Sequence, residues 1–367
     1  MNRKTALRAC PVCGKRRAEI LAAMRYAVPE GFPLPAESDI VACLGCGMVY
    51  ADTSGTQADY DRYYADFANY ENPNGQGSGM EGADARRLEQ SVDWLAPRIG
   101  AKNARIIDIG CVQGGLLMAL ARRGFSSLSG IDPSPRCVDL LRAAGFSGHQ
   151  GSFGHIPAEC GKYDFIIASH VLEHVVDVRE AFSALRQLLA PGGKIYIKTP
   201  DAGRYYNRKG TLPFQEINQE HINHFDLFHL DMLCAAHGLH VTDVVRKSIG
   251  ERQEQNYAVG VLLAEKEQEA CIAPPSSEAT HLKQLFAAYI LESRRRLDSF
   301  SEKIRGRAVA FWGAGRGRNG CWQTLSSGGK RRSSPLSTAI RASRASVSRA
   351  ASFSLPKRVC VNSPMTP

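Results

Sequence analysis

Four cysteines in the chain have the spacing of a metal site. Cys10 and Cys13 form one Cys-x-x-Cys unit, and Cys43 and Cys46 form a second one. Each unit puts two thiolates on one tight turn, and two such turns complete the tetrahedral ligand set of a structural Zn²⁺ site, which leaves no open position for a substrate. The pattern therefore predicts a zinc-binding unit over residues 1–55, where the metal replaces a core that so short a segment cannot build.

A glycine-rich turn is the second motif that could bind a ligand. Asp108, Gly110 and Gly114 follow a short apolar run in the order Asp-x-Gly-x-x-x-Gly. Glycine lets a ligand approach the backbone where a Cβ would block it. The order differs from the Gly-x-Gly-x-x-Gly of dinucleotide enzymes and suits a ligand with adenosine and methionine portions better than a pyrophosphate. A strand–helix turn without a ligand is the alternative.

A carboxylate and two polar side chains end the following predicted strands. Asp132 comes 24 residues after Asp108, where a carboxylate can accept hydrogen bonds from both hydroxyls of a ribose. Its other interpretation is an N-cap of the next helix. Ser169 and His170 end a later strand, and ligands bind at the carboxyl ends of strands in doubly wound sheets. We therefore expect all three residues to line the cofactor site.

Two histidine-containing segments are candidates for metal binding or proton transfer. His174 follows His170 by four residues, so a zinc pair is conceivable, although no third ligand is evident and a capping or packing role for His174 is favoured. Glu220 and His221 follow a loop, and a histidine oriented by a carboxylate can act as a general base at neutral pH. The alternative for Glu220 and His221 is a loop that only packs against the cofactor.

An aromatic cluster precedes the glycine-rich turn. The simplest interpretation of this cluster is core or lid packing, and stacking against a substrate is the alternative. Its members are Tyr60, Tyr63, Tyr64, Phe67 and Tyr70.

The elements that position these residues alternate between strands and helices over residues 101–265. Such an alternation predicts an α/β fold with a doubly wound, mostly parallel, Rossmann-like sheet. The predicted strands cover residues 105–109, 128–131, 163–168 and 194–198, and the predicted helices cover 116–123, 135–144 and 178–190. A turn at Pro191–Gly193 precedes the last of these strands, and the runs 239–245 and 257–264 predict a final hairpin with an antiparallel edge strand.

The flanking segments differ in character. Residues 56–100 are interpreted as a helical, aromatic lid segment with a helix near 84–95. Residues 266–317 are interpreted as a helix and the start of a second, truncated Rossmann-like unit, because an apolar run ends in Gly313-Ala-Gly315-Arg-Gly317. Residues 318–367 are rich in Ser and Arg and predict a disordered tail. We hypothesise that the chain leaves its reading frame near Arg318, which a continuation in another frame of the coding DNA would test.

The charge of the chain is unevenly distributed. The net charge is +10, from 46 Lys and Arg against 36 Asp and Glu, but residues 316–367 hold ten of the basic residues and no acidic one, which leaves 36 against 36 in the body. A neutral body argues against a specific nucleic-acid partner. No apolar run reaches the roughly 18 residues of a membrane span, and no secretory signal is visible, so we expect a cytoplasmic protein.

With these motifs, the chain resembles the class I S-adenosylmethionine (SAM)-dependent methyltransferases. The matching segments are Asp108–Gly115, Asp132, Ser169–His174 and Leu189–Gly193. Within that class it resembles a zinc-containing subgroup that includes sugar C-methyltransferases. The subgroup's features here are the two Cys-x-x-Cys units, Glu220-His221 followed by Phe225, and Trp312-Gly-Ala-Gly315.

The resemblance implies a chemistry for several residues. A nucleotide-linked keto-sugar would lose a proton next to its carbonyl to the base Glu220-His221, most directly to His221, and the resulting carbanion would take the methyl group of SAM. Aromatic residues of the 60–70 stretch would line the substrate, and the second glycine-rich unit would hold the nucleotide. Methylation at oxygen stays open. One departure is Val112, which stands where the family has a glycine and is expected to narrow the approach to SAM.

Two competing hypotheses remain. An RNA methyltransferase would use the zinc unit to bind nucleic acid, which the neutral body disfavours. A non-catalytic scaffold with a degenerate methyltransferase fold is favoured by Val112, and a failure to bind SAM would be its signature.

Overall fold

The computed structural model describes residues 3–68, 82–207, 212–248, 257–265, 277–304, 309–310 and 360–361. The predicted second glycine-rich turn at residues 313–317 lies outside these residues. So do Tyr70 and all of the predicted tail except Cys360–Val361. Among the helices of the described part, none has the length and hydrophobicity that a membrane crossing requires.

The N-terminal part of the chain forms a small antiparallel sheet followed by two helices. Its strands are β1 (Arg3–Thr5), β2 (Arg17–Arg25), β3 (Glu37–Cys43) and β4 (Val49–Asp52), and the helices are α1 (Gln57–Asp66) and α2 (Gly82–Ile99). The strands pair in sequence order, each antiparallel to the next. Cys10 and Cys13 lie between β1 and β2, whereas Cys43 ends β3 and Cys46 lies in the turn that leads to β4.

The central unit alternates strands and helices, as the sequence predicts. Its elements are β5 (Arg105–Ile109), α3 (Gly115–Arg122), β6 (Ser127–Asp132), α4 (Pro135–Ala143), β7 (Ser147–Gln150), β8 (Tyr163–Ser169), α5 (Val178–Leu188) and β9 (Leu189–Pro200). They are followed by β10 (Asn223–His224), α6 (Leu227–Ala236), β11 (Leu239–Ser248), β12 (Tyr257–Glu265) and α7 (Ser277–Ile304). Two short strands, β13 (Val309–Ala310) and β14 (Cys360–Val361), pair with each other.

The central sheet is seven-stranded and mostly parallel. Its strand order is β11-β12-β9-β8-β5-β6-β7, in which β5 to β9 run parallel and β12 pairs antiparallel with β9. The order reverses at β5, and ligands bind at such a switch point, outside the carboxyl ends of the strands. The predicted α/β class, the doubly wound sheet and the terminal hairpin are confirmed.

The segment Pro191–Gly193 differs from its prediction. It was predicted to be a turn before a strand that starts at Lys194, but β9 already begins at Leu189. The pairing with β8 explains the difference, because Tyr163 pairs with Leu189 whereas Phe165 pairs with Lys194. The proline and glycines therefore form an irregularity within one strand, where Gly192 takes a φ of +72°, a value that glycine adopts at little cost.

The two sheets are joined through β10. This two-residue strand follows the loop that carries His221 and pairs antiparallel with β4 of the N-terminal sheet, Asn223 opposite Tyr50. One hydrophobic core also spans both parts, since it contains Cys10 and Met48 as well as Phe182. The N-terminal unit and the central unit therefore fold around shared apolar contacts.

Candidate functional site

The four predicted metal ligands lie together. Cys10 Sγ is 3.5 Å from Cys46 Sγ, and Cys13 Sγ is 3.4 Å from Cys43 Sγ, while all four sulfur atoms lie within 4.8 Å of one another. Thiolates about 2.3 Å from a tetrahedral zinc ion stand about 3.8 Å apart. The cluster therefore fits a zinc ion, and its ligands belong to the turns that the Cys-x-x-Cys pattern predicts.

Both cysteine turns have the backbone shape of a metal knuckle. Gly14 and Gly47 follow the two pairs and take φ values of +72° and +83°, which a glycine tolerates and most other residues do not. The amide of Gly45 donates to Cys43 Sγ over 3.2 Å, so the backbone can stabilise negative charge on that sulfur.

A buried histidine supports one cysteine turn from the central unit. His229, on α6, lies with Nε2 2.9 Å from the carbonyl oxygen of Cys46 and with Nδ1 2.6 Å from Asp226 Oδ1. Since the carbonyl oxygen only accepts, Nε2 is the donor. The sequence did not single out His229, because its contact with Cys46 joins residues far apart in the chain.

The glycine-rich turn lies at the carboxyl end of β5. Asp108 is buried there, and burial together with the nearby Asp132 carboxylate raises the pKa of Asp108 to about 8. Gly110 and Gly114 have φ values of +72° and +80°. A Cβ built on Gly110 would lie 2.7 Å from Cγ2 of Val171, so this turn touches the segment that follows β8.

Val112 has a strained backbone conformation. Its φ is +51°, in the left-handed region that is sparsely populated by β-branched residues. Its amide donates to Asp132 Oδ2 over 2.8 Å, which holds the strained turn in place. The predicted narrowing of the cofactor site by this side chain therefore comes with a conformational cost.

Replacing Val112 by glycine is expected to raise the free energy of unfolding by about 1 kcal/mol. Left-handed strain of about 1–3 kcal/mol is relieved, and the greater chain entropy of glycine offsets about 0.5–1 kcal/mol of that gain. Urea unfolding of Val112→Gly beside Val112→Ala measures the effect, and the alanine variant, which keeps a Cβ, should gain less. A glycine variant that is less stable than the wild type would contradict the assigned strain.

Asp132 ends β6 and is held by two backbone amides. Besides the Val112 amide, its Oδ1 accepts from the amide of Ser134 over 2.9 Å. The N-cap of α4 is Ser134 itself, whose side chain accepts from Cys137 N. The contact of Asp132 with the ribose hydroxyls stays a prediction from the sequence.

Ser169 and His170 lie at the carboxyl end of β8, next to β5. His170 has a φ of +60°, and its amide donates to Lys198 O over 2.7 Å. Its Nδ1 lies 3.1 Å from Glu173 Oε1. Burial lowers the pKa of His170 well below its usual range, and the nearby positive charges of Lys198 and Arg87 lower it further, so His170 is neutral at physiological pH.

His174 and His221 form a pair beside this edge. Their ring centroids are 5.0 Å apart, and Nδ1 of His174 donates to the carbonyl oxygen of Glu220 over 2.9 Å. That hydrogen bond fixes the tautomer of a neutral His174, whose proton then sits on Nδ1. The carboxylate nearest to the His221 ring in the described contacts is Glu216, with Oε2 3.8 Å from Nδ1, a residue that the sequence did not single out.

The carboxylate of Glu220 is bound by the aromatic cluster. Tyr63 donates to its Oε1 over 3.0 Å and Tyr64 to its Oε2 over 3.5 Å, while Tyr60 donates to the carbonyl oxygen of Gln219. Tyr64 also meets the His174 ring edge-on, with centroids 5.6 Å apart. The cluster thus joins α1 to the histidine loop and supplies hydroxyl groups, in addition to its packing.

The structure groups His174 with Glu173 and His221, and not with His170, as possible metal ligands. Ligand atoms of Glu173, His174 and His221 lie within 4.8 Å of one another, a donor set that catalytic zinc sites use. The charges of Lys198 and Arg87 act on the neighbouring His170, and that of Lys198 also acts on Glu173. Two histidines beside a carboxylate can also transfer protons without a metal.

Part of the chain is similar to known methyltransferases. Residues 80–244 match the family model described as a methyltransferase domain. Among curated relatives, the chain is 32% identical over 115 residues to the ubiquinone biosynthesis O-methyltransferase of Aromatoleum aromaticum, which covers 29% of this chain and 49% of that protein. It is 34% identical over 116 residues to the enzyme of that name from Pseudomonas aeruginosa, with 29% and 49% covered.

The matched segments are partial. The chain spans about half the length of these curated relatives. Among solved structures, the CcbJ methyltransferase from Streptomyces caelestis aligns with a TM-score of 0.42 and 14% identity, over 56% of this chain and 99% of that one.

Proposed function

We propose that this chain, which contains a methyltransferase domain over residues 80–244, transfers a methyl group from SAM to a small-molecule acceptor that loses a proton to His221. The observation that carries the proposal is the pairing of His174 and His221, with ring centroids 5.0 Å apart. The pair lies close to the carboxyl edge where the glycine-rich turn and His170 meet, since His174 and His170 both approach Glu173 Oε1.

The proposed SAM site lies at the carboxyl ends of β5, β6 and β8. We propose that Asp132 binds the ribose hydroxyls, that Gly110 and Gly114 let the cofactor approach the backbone, and that Asp108, Ser169 and His170 line the site. When bound, SAM would supply an electrophilic methyl group, with S-adenosylhomocysteine as the leaving group. His221 would take up the proton that the acceptor loses.

In this proposal His221 is the base, and the neighbouring carboxylates support it. His221 is near Glu216, whose negative charge stabilises an imidazolium. Glu220, which we predicted to be part of the base, acts in our proposal through its loop, since its carbonyl oxygen orients His174 and its carboxylate accepts from Tyr63. In-line alignment of the acceptor with the methyl group contributes most of the rate.

We propose a hydroxylated or keto acceptor, with a nucleotide-linked keto-sugar as the specific candidate. The tyrosine hydroxyls, carboxylates and histidines of the site offer donors and acceptors to an oxygen-rich molecule. The names of the curated relatives favour transfer to oxygen, whereas a base beside the transfer site also serves carbon acidified by a carbonyl.

We further propose that the cysteine cluster holds a structural zinc ion. The four sulfur atoms have the spacing of a tetrahedral set, and with four thiolates no position remains for the acceptor. In this proposal residues 1–55 form the zinc-binding unit, 56–100 the lid segment and 101–265 the SAM-binding core.

Replacing Asp132 by asparagine tests the cofactor assignment. We expect the dissociation constant of SAM to rise about 100-fold, because hydrogen bonds to a charged group contribute about 1.5–3 kcal/mol each. Calorimetric titration measures it, and Asp139→Asn, an exposed site on the following helix α4, is the matched control. Unchanged SAM affinity in Asp132→Asn would exclude the ribose role.

The acceptor is tested by transfer of a labelled methyl group from SAM to a panel of nucleoside-diphosphate-linked keto-sugars and dihydroxylated aromatic compounds. Labelling of a sugar supports the specific candidate, and labelling of an aromatic hydroxyl replaces it. If the wild type does not bind SAM at all, the scaffold hypothesis, which the strained Val112 favours, replaces the proposed activity.

A further inference from the structure

We infer that Arg8 is a positioning residue for methyl transfer, which holds the loops of His174 and His221 in their mutual geometry from within the N-terminal unit. This inference rests on the proposed function for its effect on turnover. Its structural part, a guanidinium that joins two loops of the central unit, can be tested without any acceptor.

The guanidinium of Arg8 donates to three separate segments. Nη2 donates to the carbonyl oxygen of Val176 over 2.6 Å and to Asn223 Oδ1 over 3.0 Å. Nη1 donates to the carbonyl oxygens of Ala51 and Ile222 over 3.3 and 3.4 Å. One side chain therefore joins the end of β4, the segment two residues after His174, and the residue directly after His221.

Asn223 extends this connection to the other side of the site. Its Nδ2 donates to the carbonyl oxygens of Leu172 and Val175 over 2.9 and 2.7 Å, on either side of His174. The amide of Ile222 donates to Glu173 O over 2.8 Å. Hydrogen bonds from the backbone and from Asn223 thus connect the two loops that carry His174 and His221, and Arg8 donates to both loops.

The burial of Arg8 indicates that these bonds have a specific role. Only 8% of the residue is exposed, and burial lowers the pKa of its guanidinium. Burying a cation is costly unless its donors are satisfied, and here both Nη groups donate, whereas Nε has no hydrogen-bond partner within the described residues. Asp52 Oδ1 accepts from the backbone amide of Arg8 over 3.0 Å, and the guanidinium lies over the Tyr50 ring, 5.6 Å from its centroid.

Lysine cannot reproduce this arrangement. An ammonium group is one compact point charge, whereas the planar guanidinium directs its donors along several fixed directions at once. Arg8→Lys therefore keeps the positive charge but loses the simultaneous bonds to Val176 and Ile222. A shift of about 1 Å in catalytic geometry lowers turnover roughly 100-fold, so we expect a large loss of kcat from a residue that does not touch the site.

The experiment compares Arg8→Lys with Arg16→Lys in the full chain. Arg16 is an exposed arginine of the N-terminal unit that also donates to backbone carbonyl oxygens, those of Ala6 and Leu7. For Arg8→Lys we expect kcat for the acceptor identified in the panel to fall roughly 100-fold, with the SAM dissociation constant unchanged within about two-fold. Amide hydrogen exchange at Ile222 and Asn223 should rise about ten-fold, and Arg16→Lys should change none of these.

Two outcomes overturn the inference. Unchanged hydrogen exchange at Ile222 in Arg8→Lys would mean that the arginine does not hold the loop, whatever the acceptor. Faster exchange together with an unchanged kcat, or an equal loss of kcat and of SAM affinity, would make Arg8 a residue of general stability. If no acceptor is found, the proposed activity fails, and the exchange measurement still decides whether Arg8 fastens the loops.

Discussion

Replacing Cys46 by serine is expected to unfold the N-terminal unit and to destabilise the central unit with it. Structural zinc contributes about 10–16 kcal/mol of apparent binding free energy in small zinc-binding units, more than the whole stability of about 5–15 kcal/mol of a typical domain. The loss should spread, because Cys46 and Cys10 belong to the same hydrophobic core as Phe182 of α5. Thermal unfolding followed by circular dichroism, together with zinc content by atomic absorption, measures both effects.

The control for this substitution is Cys160→Ser. Cys160 is half-buried and lies outside the cluster of four, so its replacement should leave zinc content unchanged and stability nearly so. A Cys46→Ser protein that melts like the wild type, or a wild type that contains no zinc after purification without chelators, would refute the structural metal. Chelation of the wild type should reproduce the instability of Cys46→Ser.

Replacing His221 by asparagine is expected to lower kcat by about 10²–10⁴-fold, the usual contribution of a general base. SAM affinity should not change, because the proposed cofactor residues lie on or directly after β5, β6 and β8 and not on the His221 loop. Steady-state kinetics with the labelled acceptor and calorimetry with SAM separate the two effects. His240→Asn, at an exposed position on the edge strand β11, is the matched histidine control.

The same variant distinguishes carbon from oxygen methylation. With a keto-sugar in heavy water and no SAM, the wild type should exchange the acidic C–H proton for deuterium if His221 forms a carbanion, and His221→Asn should not. An acceptor that is methylated without such exchange is an oxygen acceptor. Full activity of His221→Asn would remove His221 as the base and return attention to His174.

The sequence predicted the central sheet well because its strands are short apolar runs bounded by turns. Arg105–Ile109 was predicted with its observed limits, and the doubly wound order follows from the alternation of strands and helices. The prediction failed at Pro191–Gly193 for a local reason. Proline and glycines normally end strands, but here the residues before and after them, Leu189 and Lys194, both pair with β8, so the segment is an irregularity within β9. The N-terminal strands were not predicted, because their sheet depends on tertiary pairing, including that of β4 with β10.

The candidate site likewise contains residues that the sequence predicted and residues that it did not. The cysteine cluster follows from two short motifs, in which spacing limits geometry. The proximity of His174 and His221 was not predicted, since they belong to separate motifs that only the fold brings together. Glu216, His229 and Arg8 carry no such signal, since each acts across a contact that the fold creates. The roles assigned to Asp132, Ser169, His170, Glu220 and His221 stay predictions, for which the structure supplies the positions.

The pairing of β10 with β4 has a consequence for synthesis of the chain. Tyr50 and Asn223 are partners in this pairing, and they are separated by roughly 170 residues, which take roughly 10–35 s to translate at about 5–20 residues per second. The four cysteines all emerge early, so metal capture can precede translation of the histidine loop by that interval. Because closing so long a loop costs entropy that only late contacts repay, the proposed methyl-transfer site should mature after the cysteine turns.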